Sequence, residues 1–261
     1  MSINSFLNQK SNELIIRDSE KDSIKKSVDT LKSRLVYHFG NNIEDKRVFG
    51  SYPRGTILPR CYDEGSDVDL MIVFDDKSYQ PQTYLNWLRN FVNKYYSSSQ
   101  IRQSHPTIVL ELNHIKFELV PALDQQWYGY QIPNKGSDYQ SWMYSEPFSF
   151  NNEFTQKNID NYNLIKPLAR LVKFWNVKNG RPYYSFKIEE MIKAHYFYGS
   201  NNNLRGYFYS FMMSLSEWEF TFNSNKYNKI VKTKKVISEA YQDDVDGYPN
   251  LAESNIKKLF E

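Results

Sequence analysis

"VFGSYPRGTILPRCYDEGSDVDLMIVF", residues 48–74, decides how this chain reads. Its last seven residues are apolar at every position but Asp69. A run of that length predicts a strand buried on both faces. Asp67 and Asp69 stand at its start. Side chains alternate along a strand, so both carboxylates fall on one face. Two like charges side by side repel unless water screens them at a solvated strand end or a cation lies between them. Hard carboxylate oxygens suit Mg²⁺ or Mn²⁺, which in turn hold phosphate oxygens. Just upstream, the strand candidate "RVFG" runs into Ser51, which starts a short helix with Pro53 in its first turn. Proline is tolerated there because the first helical N–H groups lack internal partners. Those N–H groups and the helix dipole favour an anion. Gly50 lets backbone approach a phosphate, and the Ser51 hydroxyl can donate to it. An ordinary capped turn is the alternative reading.

The rest of the chain bounds the choice. Its 261 residues leave room for one large domain or two lobes. With 33 basic and 30 acidic residues the net charge is +3, too small to demand a nucleic-acid partner. A single cysteine, Cys61, excludes an internal disulfide and fits a reducing compartment. The polar N-terminus lacks the apolar run of a signal peptide, and no stretch approaches the ~20 apolar residues of a membrane span. A cytoplasmic protein is expected.

Periodicity predicts a long helix over 19–39, capped by Ser19, with Ile24, Val28, Leu31 and Leu35 on its apolar face. A second helix covers 81–96. "TIVLELNHIKFELVPAL" predicts two strands around Asn113-His114, the second ended by Pro121. Residues 125–157 read as irregular, a length that points to function or to a lobe connection. From 158 onward five helical segments follow, separated in part by "GSNNN" and "DDVDGYPN". The expected organisation is an α+β part over 1–157, its long N-terminal helix bridging the lobes, and an all-helical part over 158–261.

"GSYPRGT…SDVDLMIVF" resembles the signature of the DNA polymerase β-like nucleotidyltransferase superfamily: Gly-Ser, Gly-Thr, then Asp-x-Asp in a strand. "FELVPA" is similar to the strand that carries the third carboxylate. "LARLVKFWNVKNG" with "SFKIEEMI" resembles the helical lobe of oligoadenylate synthetases and of the cGAS/DncV-like (CD-NTase, SMODS) enzymes. The resemblance covers about 48–192. It implies a two-lobed fold, a mixed sheet and helices preceding a helical lobe, with the active site in the cleft. It also implies two divalent metals, Mg²⁺ or Mn²⁺, held by Asp67, Asp69 and Glu118. One activates the attacking hydroxyl and the other grips the triphosphate.

By the same resemblance Gly50 and Ser51 hold the triphosphate of a donor NTP, while Lys173 and Ser185 contact phosphates. Lys173 belongs to a cationic stripe with Lys166 and Arg170 at helical spacing, which is equally a solvated helix face. Ser185 is equally a plain N-cap. Tyr128, Tyr144, Tyr183 and Tyr184 are available to stack on a base, and none is singled out. Arg54 and Thr56 are assigned to holding the turn, and Asp63 and Glu64 to a solvated loop. His105, His114 and His195 lack partners at metal-ligand spacing. Two features depart from the pattern. The third carboxylate is Glu118 rather than Asp, with Glu111 on the partner strand as the alternative, and the loop "ILPRCYDEGS" is long.

The expected activity is template-independent synthesis of a cyclic or linear oligonucleotide second messenger from NTPs, in bacteria alongside anti-phage effectors. An activating ligand or protein is a further expected partner; a membrane and a stable nucleic-acid complex are not. The rivals are nucleotidyl transfer to tRNA, another RNA end or a protein, and an inactive nucleotide-binding module.

Overall fold

The computed structural model describes residues 2–104, 106–138 and 140–261. They form two compact units, one of residues 16–60 and 64–153, the other of residues 2–15, 61–63 and 154–261. The first helix, α1 (Ile3–Glu13), thus goes with the C-terminal helices. The single cut expected after residue 157 gives way to a chain that changes unit several times.

The sheet unit begins with α2 (Asp18–Phe39), then β1 (Ile43–Phe49), the four-residue α3 (Ser51–Arg54), β2 (Asp67–Phe74) and α4 (Pro81–Tyr95). It continues through β3 (Gln100–Ser104), β4 (Thr107–Glu111), β5 (Lys116–Asp124), β6 (Tyr130–Pro133) and β7 (Trp142–Ser145). The long helix α2 lies wholly within this unit. It begins one residue before Ser19, and Asp18 and Glu20 in its first turn complement the helix dipole without a side-chain cap. Its apolar stripe, Ile24, Val28, Leu31 and Leu35, is buried as the spacing predicts.

The main sheet runs β1-β2-β5-β4-β3, with β2 and β5 parallel and the other pairs antiparallel. Leu70, Ile72 and Phe74 of β2 join Phe117 and Leu119 of β5 in a core shared with α2 and α4. The opposite face carries a small cluster of Met71, Val73 and Ala122, covered by Phe49, Tyr130, Ile132 and Phe148. Burial on both faces is why β2 reads as a nearly unbroken apolar run. Alternation puts Asp67 and Asp69 in line with Met71 and Val73, at the end of that smaller cluster.

Pro121 does not end β5. It pairs with Ile72 of β2, and the strand continues to Asp124. On the other edge of β5, pairing with β4 stops at Leu119 and pairing with β6 starts at Leu123. The missing N–H therefore falls in a gap between two ladders, where it costs no bond. Residues 125–157 are also more ordered than expected, since they hold β6, β7 and most of α5 (Pro147–Asp160). Their strands are only four residues long, too short for a periodic signal.

In the helical unit α6 (Ile165–Lys178), α7 (Ser185–Ala194), α8 (Leu204–Ser214), α9 (Asn225–Val245) and α10 (Pro249–Lys257) follow the five predicted segments. Helix α6 is buried from Leu168 to Asn176 without a break. Its apolar residues and its polar ones are enclosed alike.

Candidate active site

The parallel register of β2 and β5 sets Asp67 beside Lys116 and Asp69 beside Glu118. These four side chains share one face. On the other edge of β2, Phe49 pairs with Asp69, so the chain leaves β1 at Gly50 directly next to that carboxylate. Gly50 has φ +77° and ψ −153°, a conformation that is nearly glycine's alone. A Cβ there would lie 1.9 Å from Asp69 Oδ2. Glycine is thus required twice, by the backbone and by the carboxylate that fills the space. The same contact brings the Gly-Ser turn and the Asp-x-Asp strand together.

Ser51 opens α3, and its carbonyl accepts from the backbone N–H groups of Thr56 (3.0 Å) and Ile57 (3.1 Å). The Thr56 hydroxyl also donates to it at 3.4 Å. Arg54 is buried, its guanidinium donating to Asn151 and lying over the Phe150 ring. Thr56 therefore holds the turn, as its place in the motif suggests, whereas Arg54 ties the turn to α5.

Lys116 lies outside the motif, yet "KFE" carries its signal: residue 116 lies two before Glu118 and must share its face. Its Nζ lies 3.0 Å from Asp67 Oδ2 and 3.5 Å from Glu118 Oε1. The Thr107 hydroxyl reaches Glu118 Oε2 at 3.5 Å. Burial, and then the charge of Asp67, hold the Glu118 carboxyl above the ordinary range. Burial pushes Lys116 down, but Asp67 and Glu118 outweigh it and leave the ammonium above its ordinary value. Glu111 is bound instead to Arg60, 3.0 Å from its Nη2.

The donor chemistry fits a hard divalent cation. Three carboxylates lie on one face, and a lysine ammonium already stands in for a cation between two of them, Asp67 and Glu118. Among the described residues, no three His, Cys, Asp or Glu side chains close into a group able to hold a metal ion. The expected ligands share a face without forming a ready-made cage.

In the helical unit, Lys173 is buried, its Nζ 2.7 Å from Oε1 of the fully buried Glu189. Arg170 is buried too, donating to the Ser11 carbonyl at 3.1 Å, and burial pushes its pKa down to about 10. At Arg170 and Lys173 the cationic stripe is thus not a solvated face, since both are buried with internal partners, while Lys166 is half-buried. Ser185 is the exposed first residue of α7, whose N-cap is Tyr184. The Asn176 side-chain amide binds both the N–H and the carbonyl of Tyr183, at 3.0 and 2.9 Å, fixing the approach to that helix. Beside it, Tyr183, Tyr184, Phe186 and Phe220 line a cavity of about 430 Å³. Tyr128 and Tyr144 are exposed in the sheet unit.

Asp63 is not solvated. It is buried and receives both terminal nitrogens of Arg181, at 2.5 and 3.3 Å, whereas Glu64 is exposed as expected. His114 bonds Ser27 and His195 bonds Ser210, each at 2.9 Å. His105 lies outside the described residues.

Residues 1–158 match the family model of the Second Messenger Oligonucleotide or Dinucleotide Synthetase domain. No curated protein matches. Among solved structures, CdnG of Bradyrhizobium diazoefficiens in complex with GTP is 8% identical, with a TM-score of 0.73 over 99% of each chain. CdnC of E. coli MS115-1 in its HORMA-deltaN complex is 12% identical, with a TM-score of 0.71 over 100% of this chain and 97% of that one. The STING-associated CdnE c-di-GMP synthase of Capnocytophaga granulosa is 16% identical, with a TM-score of 0.65 over 89% and 84%. At such identities the likeness establishes a shared fold.

Proposed function

Since the chain belongs to the family of second messenger oligonucleotide or dinucleotide synthetases and is a nucleotidyltransferase, we propose that it joins NTPs, without a template, into a cyclic or linear oligonucleotide signal. Nucleotidyl transfer of this kind depends on a divalent metal. The reading takes two ions, Mg²⁺ or Mn²⁺, per active site, with Asp67, Asp69 and Glu118 as their ligands. Bound there, they would supply an activated hydroxyl and neutralise the departing pyrophosphate.

The remaining work falls to the chain. Gly50 and Ser51 receive the triphosphate, Gly50 through its backbone and Ser51 through its hydroxyl and the open start of α3. Ser185 offers a second exposed hydroxyl to phosphate, and the aromatic cavity beside it suits a nucleobase. A phosphate contact from Lys173 requires its ammonium to exchange Glu189 for the phosphate. The observation that supports the reading most is the close approach of Gly50 to the Asp69 carboxylate, the Gly-Ser turn lying beside the Asp-x-Asp strand.

The setting of the reading is bacterial anti-phage defence in the cytoplasm, where NTPs are plentiful. No helix among the described residues is long and apolar enough to cross a membrane. The complex of CdnC with HORMA-deltaN supports a protein partner here, which the reading takes as an activator. The modest net charge argues against a stable nucleic-acid complex.

Purified protein incubated with all four NTPs and Mg²⁺ or Mn²⁺, with products read by mass spectrometry, tests this. A di- or trinucleotide is expected, and Asp67→Ala with Asp69→Ala removes it. Nucleotide transferred only to added tRNA, RNA ends or protein overturns it.

A further inference from the structure

Helix α8, the C-terminal end of α9 and the loop before α8 line a further cavity of the helical unit, of about 430 Å³. It shares no lining residue with the cavity beside Ser185, and no residue assigned to NTP or metal lines it. The loop is pinned at two points. The Phe197 ring stacks on Tyr207, with centroids 4.3 Å apart. A Cβ on Gly206 would lie 2.0 Å from the Ser200 carbonyl oxygen, so a glycine there is what lets α8 meet the loop backbone. Ser200 is buried in this contact, and its hydroxyl has no hydrogen-bond partner among the described residues. A buried hydroxyl left unpaired costs free energy that a bound group can recover.

The surrounding charges limit what that group belongs to. Among the described residues that line the cavity, only Arg205 and Asp244 are charged, and they pair at 3.2 Å. Asp243, next to Asp244 on α9, adds to the case against an anion. The start of α8 is closed to an anion as well, because the side chains of Asn203 and Asn4 accept from the N–H groups of Gly206 (2.9 Å) and Arg205 (3.1 Å). The Arg205 guanidinium disfavours a cation in turn. An uncharged ligand fits. Tyr198, Tyr241 and Met213 offer it apolar and aromatic surface. The Arg205–Asp244 pair offers donors beside acceptors, since a guanidinium and a carboxylate each keep hydrogen-bonding capacity after pairing. A flat ring with an acceptor next to a donor on one edge matches both features, and that is the description of a nucleobase.

We infer that this cavity is a nucleobase-binding site outside the reaction. The base stacks on tyrosine, sets its edge against Arg205 and Asp244, and gives the Ser200 hydroxyl its missing partner. Sugar and phosphates stay outside, where no lining cation is needed. Purines, with the larger stacking area, bind best.

Equilibrium dialysis of the full chain against labelled adenosine, guanosine, cytidine and uridine tests this, because nucleosides carry no phosphate. A purine nucleoside is expected to bind. Tyr241→Ala should weaken it about 10-fold, the size of one lost base–aromatic stack. Ser200→Ala should weaken it about 5-fold, one hydrogen bond, yet melt no lower than wild type, since the free protein loses no bond. Tyr184→Ala, in the cavity beside Ser185, should change nothing. Comparison with the dinucleotides ApA and GpG identifies the source of the base. Binding about 10-fold tighter than the nucleoside's assigns the site to oligonucleotides, and equal binding assigns it to single nucleotides. The inference is overturned if no nucleoside binds, if Tyr241→Ala and Ser200→Ala bind like wild type, or if binding is lost in Tyr184→Ala alone. None of these results touches the reading of Asp67, Asp69 and Glu118.

Discussion

Two groups of charged residues in this protein obey the same electrostatics with opposite results. In the helical unit, Lys173 and Glu189 form one pair of opposite charge, fully enclosed and balanced. On the β2–β5 face, Asp67 and Glu118 share the Lys116 ammonium, Asp69 lies beside Glu118, and the group remains partly open to solvent. A closed ion pair has to open before either partner can meet a ligand. An open carboxylate cluster is costly by itself and gains by binding a cation. The two groups differ in access: the helical pair is enclosed, while the carboxylates of the β2–β5 face are partly open.

The sharpest way to break this contrast is to neutralise the open cluster. Asp67→Asn with Asp69→Asn should reduce nucleotidyl transfer on the order of 10⁴-fold, about 5 kcal/mol of barrier, with little change in melting temperature. A large drop in melting temperature would mean that these aspartates are structural after all. The closed pair should behave in the opposite way. Lys173→Met leaves Glu189 buried without its ammonium and should cost about 3–5 kcal/mol in chemical denaturation. Adding Glu189→Leu should recover much of that loss. If Lys173→Met instead leaves stability intact and raises KM for NTP, the lysine is a phosphate ligand and the contrast fails.

Gly50→Ala probes the hinge between turn and strand. The positive φ should cost about 1–3 kcal/mol of stability. Displacement of Asp69 by the new methyl should cost about 100-fold in rate. A variant of normal activity would show that Asp69 can move aside freely. The smallest effect concerns His195, whose pKa is lowered by burial and then by the neighbouring Lys157. The folded protein disfavours the imidazolium, so the unfolded chain binds more protons near the ordinary value of about 6.5. Stability should therefore fall as pH drops through that value. His195→Gln, which can still bond Ser210, should flatten the dependence between about pH 7 and about pH 5. An unchanged slope would assign the dependence to other groups.

Much of this was legible in the chain itself. The apolar run of β2, the stripe of α2 and the five C-terminal helices follow from periodicity, because each buries a continuous face or stripe. The Gly-Ser turn and the Asp-x-Asp pair were equally plain, being local patterns within 27 residues. Sequence spacing also required Lys116 to share the face of Glu118.

What only the tertiary structure decided depends on partners distant in sequence. Pro121 sits inside a strand because the ladders on one edge of β5 happen to leave a gap there. Lys173 and Arg170 are buried because α6 is enclosed, a property that no helical wheel displays. Asp63 is buried because Arg181, far along the chain, receives it. Gly50 is favoured because the Asp69 carboxylate occupies the volume where its side chain would be. Residue type and spacing fix which groups share a local face. Which charges meet, and whether they balance, is fixed only when the chain has closed on itself.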